Sequence, residues 1–411
     1  MPNTIGNISD YGKVIAKIGA TILADNTPFF QSCDKEPAST FGSVNGYSVG
    51  QSVMINKPAR PTISTTADIT STVGELVEEK VQMTLNQRFV ASVELTSAEI
   101  QNTLALKEWS ERILKPYMSG MGQTIDAEFM RVAKNNTYNL VGTAASTVFD
   151  TATVGSCREK LRKNLAPQNE DLTLMLDSTA MNSANNSRKG LFQDSSQIAK
   201  QYRAGVVGIA DGFNYVETNL LPTHTRGTQT GSFTVATTSV NGATTIAFTG
   251  LSGGTLRAGD VFTVADVFAV HAITKVRQNF LQQFVVTADN TASGTSYTGV
   301  AISPTIYDST TGKTLQNVNR FPTSADVVTI VGAASTGHVQ NIACHKQAFR
   351  VASVPLMMPS GAHMVGQQTV DGMTIRVWQD SQILTDKMIL RLDFLGAICP
   401  VRPEWASRIT A

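Results

Sequence analysis

The sequence predicts an α+β protein into which a small β-barrel domain is inserted. Three observations carry this prediction. One long segment places apolar residues at helical spacing, and the composition changes at Pro222, from where the chain is rich in Thr, Gly and Val to about Ala334. Beyond Ala334 the earlier composition returns, so the β-rich segment interrupts a domain that is completed later.

A short amphipathic helix is predicted near residues 10 to 25, with Ser9 or Asp10 as its N-cap. Its apolar stripe consists of Val14, Ile15, Ile18, Ile22 and Leu23. Two interpretations stay open. The stripe packs in the core of its own chain, or it belongs to a mobile arm that docks on a neighbouring molecule or an assembly factor.

A long β-hairpin is predicted from Gly46 to about Thr96, because two β-type runs flank a polar tip marked by Pro58 and Pro61. A two-stranded ribbon is marginally stable in water unless something packs on it. Charged residues cluster before the return strand, namely Glu75, Glu78, Glu79 and Lys80. This cluster is either a solvated face or a contact with basic groups of an adjacent molecule.

The strongest helical signal runs from Pro116 to Asn135 and predicts a rod of roughly 30 Å. Its apolar face consists of Leu114, Met118, Met121, Ile125, Phe129 and Val132. Polar and charged residues fall elsewhere on this segment, namely Glu111, Gln123, Asp126, Arg131 and Lys134.

Helix and strand alternate between Asp150 and Leu221, which predicts a compact α+β lobe. A basic helix is expected around residues 157–165, and an apolar strand at 172–176. The segment 188–190 is predicted to be a solvated turn rather than a charged contact.

The β-rich insertion contains strand-like runs at 232–235, 245–248, 260–264 and 283–286. Four aromatic residues occupy strand positions that suit a core, namely Phe233, Phe248, Phe262 and Phe284. Asn241-Gly242 is a strong tight-turn signal between two of the runs. The pattern predicts a small barrel or sandwich of about a hundred residues.

Composition limits the classes of function. The 411 residues exceed what one core usually supports, so two or three subdomains are expected. Charged residues make up 16%, against roughly 25% in typical soluble domains, and a surface poor in charge often meets other protein. The net charge of +1 disfavours sequence reading of nucleic acid, although lining a container for nucleic acid is compatible with it.

Cysteine usage and hydropathy predict a cytoplasmic protein. Cys33, Cys157, Cys344 and Cys399 lie far apart in or near apolar runs, which is typical of buried free thiols. No window reaches the roughly 18 consecutive apolar residues of a membrane helix. Lys17 interrupts the N-terminal apolar run, so a secretory signal is not predicted either.

Catalytic, metal and cofactor motifs are not predicted. Five histidines, His224, His271, His338, His345 and His363, lack the spacing of a metal site. The pentad 250–254 has the letters of G-x-S-x-G, but a strand and not a helix is expected after it. Gly312-Lys313-Thr314 ends like a phosphate-binding loop, yet Tyr307 stands where the first glycine is required.

The last part of the chain carries three β-type runs, 349–355, 371–377 and 395–404, and the third ends in an Arg-Pro-Glu turn. Together with Val14 to Ala24 followed by Pro28, these segments resemble tailed-phage major capsid proteins, or coat proteins, with the Hong Kong 97-type fold. The nearest type is the P22-like coat, which carries an inserted β domain. The likeness is one of segment order and covers nearly the whole chain.

The resemblance implies a division of the chain into named parts. They are an N-terminal arm (1–45), the E-loop with adjoining P-domain strands (46–105), the spine helix (106–136), the first part of the P and A domains (137–221), the inserted β-barrel domain (222–335) and the A and P domain return (336–411). Asn241-Gly242 stands where the P22 type has a longer acidic loop that touches a neighbouring capsomer, so that contact is expected to be absent or made differently.

The resemblance also implies a function, which is self-assembly into pentamers and hexamers of an icosahedral phage head that encloses packaged double-stranded DNA. The implied partners are further copies of the coat, a scaffolding protein, a portal protein and, non-specifically, the DNA. No enzymatic activity, cofactor, metal or membrane is implied, and assembly is expected in the host cytoplasm, with the virion as final location.

The candidate intersubunit contacts are Val14, Ile18, Ile22, Lys57, Arg60, Glu75, Glu78 and Glu79. The Hong Kong 97 phage cross-links its subunits through Lys and Asn side chains; Lys57 lies near the hairpin tip, but non-covalent assembly is expected because the P22 type is not cross-linked. The alternative is a β-rich phage surface or tail protein that binds carbohydrate through the insertion. Its aromatic content of 7% argues against exposed aromatic platforms.

Overall fold

A computed structural model of the protein describes residues 8–42, 47–58, 67, 78–96, 110–142, 149–167, 171–188, 207–309, 314–382 and 387–410. The chain divides into two compact units, each assembled from segments distant in sequence. Unit 1 comprises Met1–Ile55, Val81–Phe129 and Phe349–Val401, and unit 2 comprises Asn56–Lys80, Met130–Ala348 and Arg402–Ala411.

The helices of the described residues are α1 (Ile8–Asp25), α2 (Pro28–Ser32), α3 (Lys115–Asn136), α4 (Thr151–Lys163) and α5 (Ser178–Ser187). Short turns of 3-10 helix lie at Ala38–Phe41 and Pro403–Trp405, and a π-helical turn at Ser110–Leu114 leads directly into α3. The helices predicted near residues 10–25 and 116–135 are confirmed. The basic helix is also confirmed, although it begins six residues before Cys157 at Thr151.

The strands up to the lobe are β1 (Asp34–Glu36), β2 (Ser52–Asn56), β3 (Lys80–Thr84), β4 (Gln87–Thr96), β5 (Leu140–Val141), β6 (Leu172–Leu176), β7 (Ile209–Ala210), β8 (Phe213–Glu217) and β9 (Thr223–Thr225). The strands from the insertion onward are β10 (Phe233–Val235), β11 (Ala243–Thr249), β12 (Thr255–Leu256), β13 (Val261–Val270), β14 (Arg277–Val286), β15 (Asn290–Thr291), β16 (Ser296–Ile306), β17 (Val327–Ile330), β18 (Gly337–His345), β19 (Phe349–Ser353), β20 (Met364–Val370), β21 (Met373–Gln382), β22 (Lys387–Pro400) and β23 (Ala406–Thr410).

Unit 1 is organised around strand β22. Its sheet has the order β1-β19-β22-β21-β20, and β4 also pairs with β22. Strand β22 pairs antiparallel with β19, β21 and β4, and the β4 register runs from Lys387↔Thr96 to Gly396↔Gln87. The runs predicted at 371–377 and 395–404 belong to longer strands, since β21 continues to Gln382 through polar residues and β22 already begins at Lys387.

A buried carboxylate on β22 gathers three arginines of unit 1. Asp393 is fully buried and accepts hydrogen bonds from Arg376 Nη2 at 2.5 Å and Arg391 Nε at 3.0 Å. Arg88 Nη2 lies 3.5 Å from the same carboxylate. Burial raises the pKa of Asp393, but the hydrogen bonds and charges of Arg376 and Arg391 outweigh it and hold the pKa below its usual value.

Helix α1 packs against β20 and β21. Ile15, Ala16, Ala20 and Leu23 are buried in this packing. At Gly366 the strand meets the helix so closely that an added Cβ would lie 2.1 Å from the carbonyl oxygen of Gly12. For this face of the helix, the interpretation of packing within its own chain is therefore correct.

Helix α2 starts at Pro28, and its first amides are bound by Asp126 of α3. The backbone N–H groups of Phe29 and Phe30 donate to Asp126 Oδ2 and Oδ1 at 3.1 and 3.0 Å. Asp126 is fully buried, and burial raises its pKa to about 7 although the two hydrogen bonds lower it. Beside it, the rings of Phe30 and Phe129 stack with centroids 5.9 Å apart. The spacing pattern put Asp126 outside the apolar face of α3, and the amide donors of α2 explain why the side chain is buried nevertheless.

The lobe of unit 2 is a sheet with the order β5-β23-β18-β6-β8-β7, in which β9 also pairs with β18. Strand β6 coincides with the strand predicted at 172–176. Helices α4 and α5 are N-capped by Asp150 and Asp177, whose carboxylates accept from Thr153 N at 2.8 Å and Thr179 N at 3.1 Å. Strand β23 extends beyond the last run recognised in the sequence and is buried along its whole length.

The insertion is a closed barrel with the strand order β10-β11-β16-β14-β13-β17, flanked in the chain by the lobe strands β9 and β18. The predicted barrel is thereby confirmed. Phe233, Phe248, Phe262 and Phe284 are buried in its core, as predicted. The centroids of successive rings are 5.3, 5.4 and 5.6 Å apart, so the four aromatic residues form one continuous row in the barrel core.

The predicted turn at Asn241-Gly242 is present, with φ of +80° at Gly242. It does not join two strands directly, because β10 ends at Val235 and β11 begins at Ala243. Residues 236–242 therefore form a longer connection, and the N–H of Gly242 donates to Ile306 O at 2.8 Å.

The contact between α1 and β20 gives a first prediction. We expect Gly366→Ala to lower the free energy of unfolding by about 1–3 kcal/mol, because its methyl group overlaps the backbone of Gly12. The control is Gly120→Ala on the exposed side of α3, where an added Cβ meets nothing within 4 Å. This variant should raise the free energy of unfolding by up to about 1 kcal/mol, because Ala favours the helix more than Gly does. Urea unfolding measures both, and equal stability of the two variants would contradict the packing of α1.

The burial of Asp126 gives a second prediction. Its pKa is higher in the folded chain than the ordinary 3.8, so folding favours the protonated form and this group costs stability as pH rises toward about 7. Asp126→Asn removes the charge and keeps one of the two acceptor oxygens, so one amide of α2 loses its acceptor at every pH. We expect the variant to gain about 2 kcal/mol relative to the wild type between about pH 5.5 and about pH 8. Unfolding of both proteins at the two pH values measures this, and a stability difference independent of pH would contradict it.

Candidate functional site

The outer face of α1 carries the first group of predicted contact residues. Val14 is 45% exposed, whereas Ile18 and Ile22 are half-buried at the flanks of the helix. The buried face contains Ile15 and Leu23 of the predicted apolar stripe, together with Ala16 and Ala20, which the stripe did not include. Val14 is thus exposed, and Ile18 and Ile22, at steps of four along the same side of the helix, are covered only in part.

The hairpin carries the second group. Strands β2 and β3 form a two-stranded sheet in which Ile55 and Met83 are buried, while Met54 is 60% exposed. Lys57 lies directly after β2, and its Nζ is 3.3 Å from Glu79 Oε2, with both side chains partly exposed. Lys57 and Glu79 therefore form an ion pair within one chain, at the end of the described part of the hairpin.

The remaining charged candidates differ in what the structure says of them. Glu78 is exposed beside the Lys57–Glu79 pair. Arg60 and Glu75 lie outside the described residues.

Unit 2 contains a buried polar row that the sequence pattern did not reveal. Lys134 Nζ lies 3.0 Å from His224 Nδ1, and His224 Nε2 lies 2.8 Å from Asp260 Oδ1. Because a lysine ammonium only donates, Nδ1 must accept and Nε2 must carry the proton that it donates to Asp260. Burial lowers the pKa of His224 against the pull of Asp260, which keeps the ring in this neutral form.

Asp260 is the acceptor on which the row converges. It is 1% exposed and also accepts from the backbone N–H groups of Gly227 at 3.1 Å and Arg257 at 2.9 Å. Its position just before β13 fixes the start of the barrel strand. Together with the His224 bond, three donors use this carboxylate, so it is a structural anchor.

Two arginines stand next to this row around a small cavity. Arg408 on β23 is 1% exposed, and Arg226 follows β9. Burial lowers the pKa of Arg408 to about 9 and that of Lys134 to about 8, and the charge of Arg408 adds to the shift at Lys134. The helix pattern placed Lys134 off the apolar face. Its side chain is nevertheless buried, because its ammonium group donates a hydrogen bond to His224 Nδ1.

The cysteines are buried free thiols, as the sequence predicted. Burial raises the pKa values of Cys157 and Cys344 to about 12, so both stay protonated at neutral pH. Within the described ranges, no group of three or more His, Cys, Asp or Glu side chains could hold a metal ion. None of the helices in the described part of the chain is long and apolar enough to cross a membrane.

An α+β framework with an inserted barrel, outward apolar positions and little surface charge is typical of a protein that builds surfaces by contact with other protein. A family model described as P22 coat protein, gene protein 5, matches residues 23–408. The chain belongs to the P22 coat protein family. It is a phage coat protein, and the resemblance to Hong Kong 97-type capsid proteins with an inserted β domain is confirmed.

Solved structures of phage capsids resemble the chain over most of its length. The capsid of Ralstonia phage GP4 matches with a TM-score of 0.47 and 9% identity over 94% of this chain and 91% of that one. Mycobacterium phage Che8 matches with a TM-score of 0.45 and 11% identity over 93% and 90%. The CUS-3 coat protein I-domain is 27% identical over 25% of this chain and 96% of its own, with a TM-score of 0.20. No curated protein matches the sequence.

The buried row gives a third prediction. Asp260→Asn removes the buried carboxylate whose charge acts on both Lys134 and Arg408, so we expect a loss of about 3–5 kcal/mol in the free energy of unfolding. The control is Asp266→Asn on the same strand β13, which is exposed and has a φ of +58° that Asn tolerates. Chemical unfolding compares the two, and an Asp260 variant as stable as the Asp266 variant would contradict the structural role.

Proposed function

We propose that this coat protein assembles into pentamers and hexamers of an icosahedral head that encloses packaged double-stranded DNA. Membership of the P22 coat protein family is the observation that carries the proposal. The near-neutral charge supports a container rather than a sequence reader, because no basic excess is available for specific phosphate contacts. Neither a catalytic role nor a cofactor is part of the proposal.

The parts of the chain have distinct roles in this proposal. Residues 1–45 act as an N-terminal arm, 46–105 as the E-loop with adjoining P-domain strands and 106–136 as the spine helix. Residues 137–221 and 336–411 supply the two portions of the P and A domains, and 222–335 is the inserted barrel domain. Scaffolding and portal proteins guide assembly in the host cytoplasm, before the head becomes part of the virion.

Contacts between subunits are proposed at the outer face of α1 and along the hairpin. The exposed Val14, flanked by Ile18 and Ile22, offers apolar area that its own chain leaves uncovered. The hairpin has the exposed Met54, and the charges of Arg60, Glu75 and Glu78 are proposed to pair with charges of neighbouring subunits. Many moderate contacts of this kind allow misplaced subunits to leave, which suits a closed symmetric shell.

A fourth prediction tests these contacts with point variants that leave the buried face of α1 intact. We expect Val14→Glu and Met54→Glu to fold normally but to yield few closed shells when coexpressed with the scaffolding protein, because a charge replaces the exposed apolar side chain. Negative-stain electron microscopy and sedimentation measure the products.

The matched controls are Val14→Leu and Met54→Leu, which keep an apolar side chain at each position and should give shells like the wild type. Thermal unfolding of the unassembled chains checks that all four variants fold. Closed shells of normal size from both Glu variants would overturn the proposed contacts. A wild-type chain that forms only small discrete particles would overturn assembly itself and favour the carbohydrate-binding alternative.

A further inference from the structure

A small cavity lies in unit 2 where β23, β18 and the segment before β13 meet. Its lining includes His224, Arg226, His338, Gln340 and Arg408. The cavity has a volume of about 20 Å³, which exceeds the about 10–15 Å³ that one water-sized species needs. It is therefore large enough for a small ion and too small for a nucleotide or a sugar.

Three donor nitrogens of the two arginines that line this cavity lack an acceptor. Among the described residues, no acceptor binds Nε or Nη2 of Arg408 or Nε of Arg226, and all three atoms are shielded from solvent. Arg226 uses its other two nitrogens, which donate to the carbonyl oxygens of Gly332 and Gln229. A guanidinium can only donate, and each buried donor without an acceptor costs roughly 1–3 kcal/mol or more for a charged group.

The carboxylate beside the cavity cannot supply what the arginines lack. The oxygens of Asp260 already accept from His224 and from two backbone amides. Formal charge is also unbalanced, because Lys134, Arg226 and Arg408 bring three positive charges against the single negative charge of Asp260. His224 is neutral, and Asp289, the other acid that acts on Lys134, is exposed.

The electrostatics agree with this imbalance. Burial lowers the pKa of Arg408 to about 9, and burial together with Arg408 lowers that of Lys134 to about 8. Both groups thus lie where more negative charge would stabilise them. Gln340 also borders the cavity, with an amide oxygen that has no donor within the described chain, and a half-turn of the amide would present its NH₂ group instead.

We propose that this cavity is a binding site for a small monovalent anion of the chloride class, held by Arg408 and Arg226. An anion accepts hydrogen bonds from the free guanidinium nitrogens and also offsets the excess positive charge. A water molecule in the same place would satisfy the donors and leave the charge unbalanced.

The test is thermal unfolding of the full-length, unassembled chain in sodium chloride and in sodium gluconate at equal ionic strength. A ligand that binds only the folded chain raises the unfolding midpoint with its concentration, and each tenfold increase above the dissociation constant makes unfolding tenfold less favourable. We expect the midpoint to rise with chloride and to stay level in gluconate. Line broadening of the chloride-35 resonance by the folded chain should follow the same concentration dependence.

Two variants assign the effect to the cavity. Arg408→Met removes the main donor and should abolish the chloride dependence and the line broadening. Gln340→Glu places a fixed carboxylate at the lining, so it should raise the midpoint in gluconate and make chloride ineffective. The control is Arg158→Gln, an exposed arginine of α4 in the same unit, which should keep the chloride dependence of the wild type.

The outcomes are distinct even where a variant is unstable. If Arg408→Met does not fold, the wild type, Gln340→Glu and Arg158→Gln still decide the question. Equal midpoints of the wild type in chloride and gluconate would overturn the proposal and leave water as the occupant. A chloride dependence that Gln340→Glu retains in full would also overturn it, because the anion would then bind elsewhere.

Discussion

Unit 1 depends on the hydrogen-bonded ladder of strand β22. This strand joins one distant segment to two nearby ones, since β4 precedes it by nearly three hundred residues whereas β19 and β21 are near neighbours. The sheet so formed gives α1 a surface to cover and Asp393 three arginines to bind. Neither helix α1 nor the hairpin could hold its conformation alone, because a single helix and a two-stranded ribbon are each marginally stable in water without packing.

Buried charge is compensated in three different ways within this fold. Asp393 is surrounded by guanidinium groups, Asp126 by the amides that begin α2, and Asp260 by a neutral histidine and two amides. The compensation is strong at Asp393, where the pKa falls, and incomplete at Asp126, where it rises to about 7. Each carboxylate ties together segments far apart in the chain, which gives register to elements that apolar contacts alone would leave free to slide.

A coat protein must keep some apolar and charged groups uncovered until assembly. Helix α1 divides its residues between two faces, with Ala and Gly against the sheet and Val14 outward, as the proposed contact requires. The hairpin does the same with Met83 buried and Met54 exposed. The barrel differs, because its row of four phenylalanines is consumed in its own core. The aromatic residues of the barrel therefore stabilise the barrel itself.

The sequence by itself determined the order of the elements, the inserted barrel with its phenylalanine core, strand β6 and the long helix α3, because each has a local period in apolar residues. It also carried the resemblance to the coat proteins. Only the tertiary structure decided which face of α1 is buried, that Asp126 and Lys134 lie inside, and that Lys134, His224, Asp260 and Arg408 meet. The burial of these residues depends on hydrogen-bond partners and charges that lie up to 274 residues apart in the chain. The local spacing of apolar residues does not predict such partners.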